Sequence, residues 1–524
     1  MLSKTSPLYW FGLICLLGFV GASLLVPLVL NEDPAYGFNV WRSMQQGGRF
    51  NELVYPNPLN PAADKSVFIS WWSPGQYLLP AWWSLLTGWT HERSGLCLTV
   101  LFTVLGLWGW QKVWKQAGFQ PAVITWSLFL MLTSRLTTIN FLNYTGGETL
   151  IFGGAPWVIW LFRFGVPNPT RLFFTMLIGS LLCFVFKTSS SITLLSLVMV
   201  PATERLMAVF YTKKLTLDRT FWLTSIATGL AFVGYYALTQ VFYLSKGTNP
   251  TAELNEAFEL SYSVMDLVTF PTQYWLSSHD FVSQLGRLYS PFDASYIALL
   301  GQLVALGMLV FMVIGVVRLA KQHLHNLALF VAFYGIYTLF LGYFYGRAAE
   351  ISFETRHFKM VAFLFLPLFL EVIWMRKKWA KHLVLSLLLI CNTTYGLVTF
   401  ALKKIEISQY PQAQNGFMLK YTAQQDVVRL QSIDKEGNLV LMTDPALALE
   451  ITKARKYLFT YPPDFARKVG FAEKKYITQN RKLYIVYSKV MAADVKAPVL
   501  EAIFMNRTFT KIGETPYYHY YESQ

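Results

Sequence analysis

Charge is scarce in this chain. Only 14% of its 524 residues are Asp, Glu, Lys or Arg, while 54% are hydrophobic. That balance excludes an ordinary soluble domain. Cysteine is scarcer still. Cys15, Cys97, Cys183 and Cys391 all lie inside apolar runs, so neither a disulfide framework nor a cysteine metal site is indicated. No glycine-rich phosphate loop follows a strand-like run, which removes the nucleotide motifs. Acidic residues are outnumbered 29 to 44, yet the net charge of +15 does not point to nucleic acid. The basic residues gather in short loops between apolar runs, or in the tail, as expected of a membrane protein.

What the chain has is apolar length. Its mean hydropathy is +0.38, and residues 7–30 carry no charge at all. That first run is too long for a signal peptide core and lacks a small-residue cleavage site before Asn31, so it is expected to stay as an anchor. Lys4 precedes it, which puts the N-terminus in the cytoplasm. The basic clusters Lys112/Lys115, Arg163/Arg171, Lys213/Lys214/Arg219, Arg318/Lys321 and Arg376/Lys377/Lys378 then fall on one side of a path of about eleven spans. On that path residues 1–402 form the membrane domain, with external loops 31–94, 137–148, 244–293 and 346–357. The chain is placed in a plasma or inner membrane.

The first external loop is expected to hold a helix from Pro34 to Gln46, capped by Asp33, then a Pro/Asn-rich turn from Pro56 to Pro61. The tryptophan-rich stretch Trp71–Trp83 reads as a helix lying at the interface. After Lys403 the apolar runs shorten. Residues 438–443 and 482–487 read as buried strands, and 426–433 and 445–454 as helices, with Asp444 capping the second. Residues 403–524 are therefore expected to be a small extracytoplasmic α/β domain.

The polar groups with chemical potential converge on the external side. Glu32 and Asp33 follow the first span, Glu148 begins another after Gly146-Gly147, Lys187 ends one, and Arg347 and Arg356 lie in a late loop. Each taken alone is as well explained as a helix cap or an interfacial anchor. Taken together they divide into two sets. The carboxylates can deprotonate an acceptor hydroxyl or hold a divalent cation. The cations can hold a phosphate and stabilise the charge that builds on it as it leaves. The set suits transfer of a group from a lipid phosphate.

Short motifs carry a family resemblance. Glu32-Asp33-Pro34-Ala35-Tyr36, with Trp41-Arg42-Ser43-Met44 and Gly47-Gly48, resembles the acidic-pair first loop of the C-type membrane glycosyltransferases. The branch of protein O-mannosyltransferases and lipid A aminoarabinose transferases is the one it is similar to. Trp72-Ser73-Pro74-Gly75-Gln76-Tyr77-Leu78 resembles that branch's proline-led loop helix, Gly147-Glu148-Thr149-Leu150 its second acidic position, and Phe186-Lys187-Thr188 its Thr-Lys-Gly segment. Glu354-Thr355-Arg356-His357 resembles its Arg-Tyr pair. The order here is Glu before Asp, Lys187 is followed by Thr, His357 stands for a tyrosine, and the tail matches no motif.

The resemblance implies a mainly α, polytopic membrane fold and a polyprenyl-phosphate sugar donor. It also implies inverting displacement onto a hydroxyl of a glycan, lipid or protein. Glu32 or Asp33 would be the base. Glu148 would position the acceptor or a metal, Lys187, Arg356 and Arg347 would hold the phosphate, and Tyr36 and His357 would contact substrate. A divalent metal ion, if used, would fall to Glu32, Asp33 and Glu148. The rival classes are a polytopic transporter, a lipid-linked polysaccharide polymerase or ligase, and a non-catalytic glycan-binding membrane protein.

Overall fold

The computed structural model describes residues 7–57, 60–70, 72–165, 168–214, 217–247, 323–346, 355–458, 482–489 and 509–523, with isolated positions between 303 and 314. Among these, six helices are long and apolar enough to cross a membrane: Pro7–Leu25 (α1), His91–Gln116 (α4), Pro169–Phe186, Ser190–Val209, Arg219–Lys246 and Leu324–Phe344. A seventh span forms if Pro121–Thr133 (α5) and Arg135–Phe141 (α6), bent by 51° at Ser134, are taken as one. The expected count of about eleven is therefore not reached among the described residues. At three of the other expected positions the helices are shorter or interrupted. Gly147–Trp160 contains Pro156 and runs into a wider π turn, Lys359–Trp374 has 16 residues, and Lys378–Ile407 is interrupted by a second π turn at Thr394–Val398.

The long helices carry their apolar side chains outward. Ile14, Leu17 and Leu24 on the first, and Leu230, Val233 and Val241 on Arg219–Phe242, are all well exposed. In water such rows would be unstable; facing lipid they are expected. The chain is an integral membrane protein. Its main core joins Trp110, Trp114, Phe152, Phe333, Phe363 and Leu366 from helices distant in sequence.

On the face bearing the first loop, α2 (Glu32–Gln45) is followed by a hairpin of β2 (Glu52–Asn57) and β3 (Asn60–Phe68), then α3 (Gly75–Thr87). The paired Asn57 and Asn60 at the end of the hairpin fall inside the Pro/Asn-rich segment, and α3 leaves Trp82, Leu85 and Leu86 exposed, as an interfacial helix would. The cap expectation needs correction. The N-cap of α2 is Asn31, and Asp33 stands inside the first turn beside Glu32. The two-residue strand β1 (Val29–Leu30) pairs in parallel with β4 (Asn143–Tyr144) and keeps the chain extended up to Asn31, so the helix starts at once after it.

The tail forms a mixed sheet in the order β6-β5-β7-β9-β8, with β5 Leu439–Met442, β6 Arg455–Leu458, β7 Leu483–Ser488, β8 Phe509–Glu514 and β9 Tyr518–Ser523. The two strands expected from sequence, β5 and β7, are fully buried neighbours in it, which is why they read as continuous apolar runs. The helix expected over 426–433 is Gln424–Ile433. The one expected over 445–454 shrinks to a 3₁₀ turn, Leu447–Glu450. Asp444 does cap it, accepting from the Ala446 and Leu447 amides at 2.8 and 3.0 Å. The preceding membrane helix continues to Ile407, past Lys403.

Candidate active site

The chain is held tightly where it leaves the first span. Glu92 Oε1 accepts from the Leu28 amide at 3.0 Å, and Lys404 Nζ donates to the Val26 carbonyl at 2.7 Å. The Val29 amide donates to Leu142 O, the Asn31 amide to Tyr144 O, and the Met418 amide to Leu28 O. Four distant segments thus fix six residues of backbone, and Glu32-Asp33 emerge directly from that clamp. Tyr36 stacks on Trp72 with ring centroids 4.7 Å apart. A Cβ on Gly37 would strike the Tyr77 ring, so glycine lets α2 lie against α3 there. The Glu32 carboxyl is pushed up from its ordinary value by lost hydration, then by the nearby charges of Asp444 and Asp33, with Lys420 opposing.

A second group of polar side chains lies where four helix ends meet. Glu148 is in the first turn of α7 (Gly147–Trp160), Lys187 is the C-cap of α8 (Pro169–Phe186), Ser189 and Ser190 start α9 (Ser190–Thr212), and His357 and Lys359 precede and begin Lys359–Trp374. Glu148, Lys187, Ser189, Ser190, Thr193, Tyr337, His357 and Lys359 line one pocket. Glu148 is buried and ion-paired with Lys187. Lys359 is also buried, at 3% exposure. Its Nζ donates to the Leu136 carbonyl at 3.4 Å and lies 5.1 Å from the Phe152 ring centroid, with no carboxylate at ion-pair distance among the described residues. Among the described residues that line the pocket, two lysines therefore face one carboxylate. The 23-residue helix α9 points the positive end of its dipole here, with its Ser190, Ser191 and Ile192 amides bonded to the Lys187, Thr188 and Ser189 carbonyls. Such a pocket attracts an anion, and phosphate fits it chemically.

No protein-family model matches the chain, and no curated protein matches it. Solved structures of similar fold do match it. ArnT from Cupriavidus metallidurans in the apo state aligns over 98% of this chain and 97% of its own, with TM-score 0.56 and 10% identity. ArnT bound to undecaprenyl phosphate aligns over 99% and 98%, with TM-score 0.53 and 10% identity. The archaeal oligosaccharyltransferase AglB from Archaeoglobus fulgidus, in complex with an inhibitory peptide and a dolichol-phosphate, aligns over 94% and 71%, with TM-score 0.51 and 10% identity. The chain has the C-type glycosyltransferase fold. At this identity the likeness is one of fold, and it covers the membrane helices and the tail together.

Within that C-type fold the expected site residues separate into two places. Glu148, Lys187 and His357 share the pocket; Glu32, Asp33 and Tyr36 stand on α2. The β1–β4 pairing links the places, since Tyr144 precedes Glu148 by four residues and bonds Asn31. The Arg356 backbone lies in the 3₁₀ turn Thr355–Phe358, beside the pocket residue His357. Its side chain, Arg347 and residues 248–293 of the expected third external loop lie outside the described residues. Among the described residues no three His, Cys, Asp or Glu side chains converge to hold a metal ion. Glu148 is engaged by Lys187, so the three carboxylates do not form a ready ligand set. Lys359 was missed by sequence reasoning. A lysine at the head of an apolar run usually reads as an interfacial anchor, and only its near-complete burial separates it from one.

Proposed function

We propose that this chain transfers a sugar from a polyprenyl-phosphate donor to an acceptor hydroxyl, with inversion, on the extracytoplasmic face. The observation that carries this is the buried Lys359 beside the Lys187–Glu148 pair at the mouth of the span bundle. Keeping an ammonium there costs several kcal/mol unless an anion joins it, on the scale of about 2.5–3.5 kcal/mol for a charge within a membrane. A lipid phosphate supplies that anion while its tail lies along the outward apolar helix faces.

In this scheme the acceptor oxygen bonds to the anomeric carbon as the bond to the phosphate oxygen breaks. Lys187, Lys359 and the α9 N-terminus stabilise the departing charge. The acceptor proton passes to Asp33. Helical spacing supports Asp33 over Glu32. Seven residues bring Glu32 within about 20° of Asn39, whereas Asp33 lies about 180° from Arg42, and Asn39 and Arg42 both face the tail. Asp33 is then nearer the stripe of Gly37 and Val40, against α3. Glu32 is its charged neighbour, and Tyr36 and His357 are substrate contacts.

The test is radiolabelled transfer. Purified protein in lipid nanodiscs is given a panel of polyprenyl-phosphate sugars, and undecaprenyl phosphate binding is measured separately. Binding that weakens about tenfold or more in Lys359→Ala, together with transfer from one donor, supports the proposal. Absence of both binding and transfer overturns it.

A further inference from the structure

We propose that Arg42 is a positioning residue that fastens the acidic-pair helix to the Asp444–Ile451 turn of the tail, so that the seating of the tail domain sets where the base stands. The inference rests on the sugar-transfer reading for its consequence, but its geometry stands alone. Arg42 Nη1 donates to the Leu449 carbonyl at 2.6 Å and to the Ile451 carbonyl at 2.9 Å. One turn earlier, the fully buried Asn39 amide donates to Pro445 O and Ala35 O, both at 2.9 Å. From the opposite side Lys456 Nζ donates to Ala448 O at 2.7 Å and Ile451 O at 3.4 Å. The carbonyls at the end of the 3₁₀ turn, which a helix end leaves unbonded, are thereby taken by two cations. Buried Glu450, which accepts from the Gln414 amide at 3.0 Å, supplies the counter-charge.

The tail also holds the other flank of the acidic pair. Met418 bonds Leu28 and bridges Val29, three residues before Glu32. Glu32 and Asp33 are therefore bracketed by contacts to one domain at Leu28–Val29 and again at Asn39–Arg42. A helix between two such anchors has little freedom to rotate. Asp33 lies across the helix from Arg42, and rotation of α2 about its axis would sweep the Asp33 carboxylate sideways along the face that meets α3. A displacement of about 1 Å at a reacting group can cost on the order of 10²-fold in rate. Charged groups facing Glu32 are Asp33 on its own helix and Asp444 and Lys420 from the tail, so loosening the joint removes Asp444 from the pair's surroundings.

The experiment uses the full chain in nanodiscs with Arg42→Ala, Arg42→Lys and Asn39→Ala. Hydrogen exchange is followed over residues 32–45 and, as an internal control, 147–160. Turnover, donor KM and the acid limb of the pH–rate profile are measured alongside. The expectation for Arg42→Ala is faster exchange in 32–45 alone and turnover down about 10- to 100-fold. Donor KM is expected to hold, and the acid limb to move to lower pH. Arg42→Lys should recover part of the loss, and Asn39→Ala should show a weaker version of it. Unchanged exchange over 32–45 in both Arg42→Ala and Asn39→Ala overturns the inference, as does a loss of turnover with no shift of the acid limb. Wild-type protein that transfers no sugar refutes the sugar-transfer reading instead, and the exchange data still decide whether Arg42 fastens the helix.

Discussion

The lysine-rich pocket and the acidic-pair helix are held by different means. Helix ends build the pocket: the start of α7, the end of α8, the start of α9 and the start of Lys359–Trp374 bring their terminal side chains to one point. Each of those residues is placed by the span it belongs to. The acidic pair sits on a short helix outside the spans, held by the tail and by Glu92 and Lys404. A bundle of buried apolar helices is stiff, because its packing leaves no alternative arrangement of similar density. A helix held by a few hydrogen bonds at each end can be moved by changing one of them. The phosphate side of the proposed reaction is thus fixed, and the base side is adjustable.

The largest expected effect lies on the adjustable side. Asp33→Asn keeps the shape and removes the charge, and turnover should fall by about 10²–10⁴-fold with near-normal donor binding. Glu32→Gln should lose much less. Sugar transfer and lipid-phosphate binding measured on both variants check this, and equal losses in the two would break the distinction drawn from their helix faces. The pair's pH behaviour follows from charge. Burial, Asp444 and Asp33 raise the Glu32 carboxyl above its ordinary value, so with falling pH Glu32 takes up a proton before a free carboxylate would, and the negative charge that keeps the neighbouring Asp33 basic is lost. Activity should therefore begin to fade above the range of a free carboxylate, by no more than Glu32→Gln costs. In Asp444→Asn the fade should shift to lower pH, because the raising charge has gone.

The next effect is on the fixed side. Lys359→Ala should weaken lipid-phosphate binding by about 10- to 100-fold, the equivalent of one charge-assisted bond of about 1.5–3 kcal/mol. Lys187→Ala should combine a similar loss with lower thermal stability, because it removes an ion-pair partner from the buried Glu148 carboxylate. Lys187→Met with Glu148→Leu should regain stability and not binding. Binding that survives in the double variant would make the ion pair a structural device and move the phosphate elsewhere.

How much of this was legible in the sequence follows the same division. Glu148 and Lys187 show themselves as charges where an apolar run begins or ends, and their order along the chain placed them on one face. The acidic pair was legible as a motif, but not its anchorage. The residues that hold it, Arg42 and Leu449, are 407 positions apart, and no local pattern joins them. Strand β1 has two residues, too few for any alternation to register. The expected helix over 445–454 failed for a related reason. Its composition suits a helix, but Lys456 and Arg42 take its carbonyls after one turn, and Ile451 is already extended. Tertiary partners decided the outcome there, as they often do for short segments.

The smallest effect tests whether the two sides are mechanically joined. Between them lies a buried knot of polar groups. Asn51, at φ +59° and fully buried, donates from Nδ2 to the Ile69 carbonyl at 2.6 Å and to Tyr243 Oη at 2.9 Å. Tyr77 Oη donates to Asn51 Oδ1 at 2.5 Å, and Tyr243 Oη lies 2.7 Å from the Trp72 carbonyl that it can donate to. Tyr243 ends a membrane helix, while Trp72 stacks on Tyr36 of α2, so the knot connects a rigid span to the movable helix. Tyr243→Phe keeps the ring and removes one hydroxyl, leaving the Trp72 carbonyl without that donor. A stability loss of about 1–3 kcal/mol is expected, read as a lower melting temperature in detergent. If the knot transmits position, turnover also falls, by a few-fold, while lipid-phosphate binding holds. If binding falls and turnover per bound donor does not, the knot serves the pocket alone, and the acidic pair depends only on the tail.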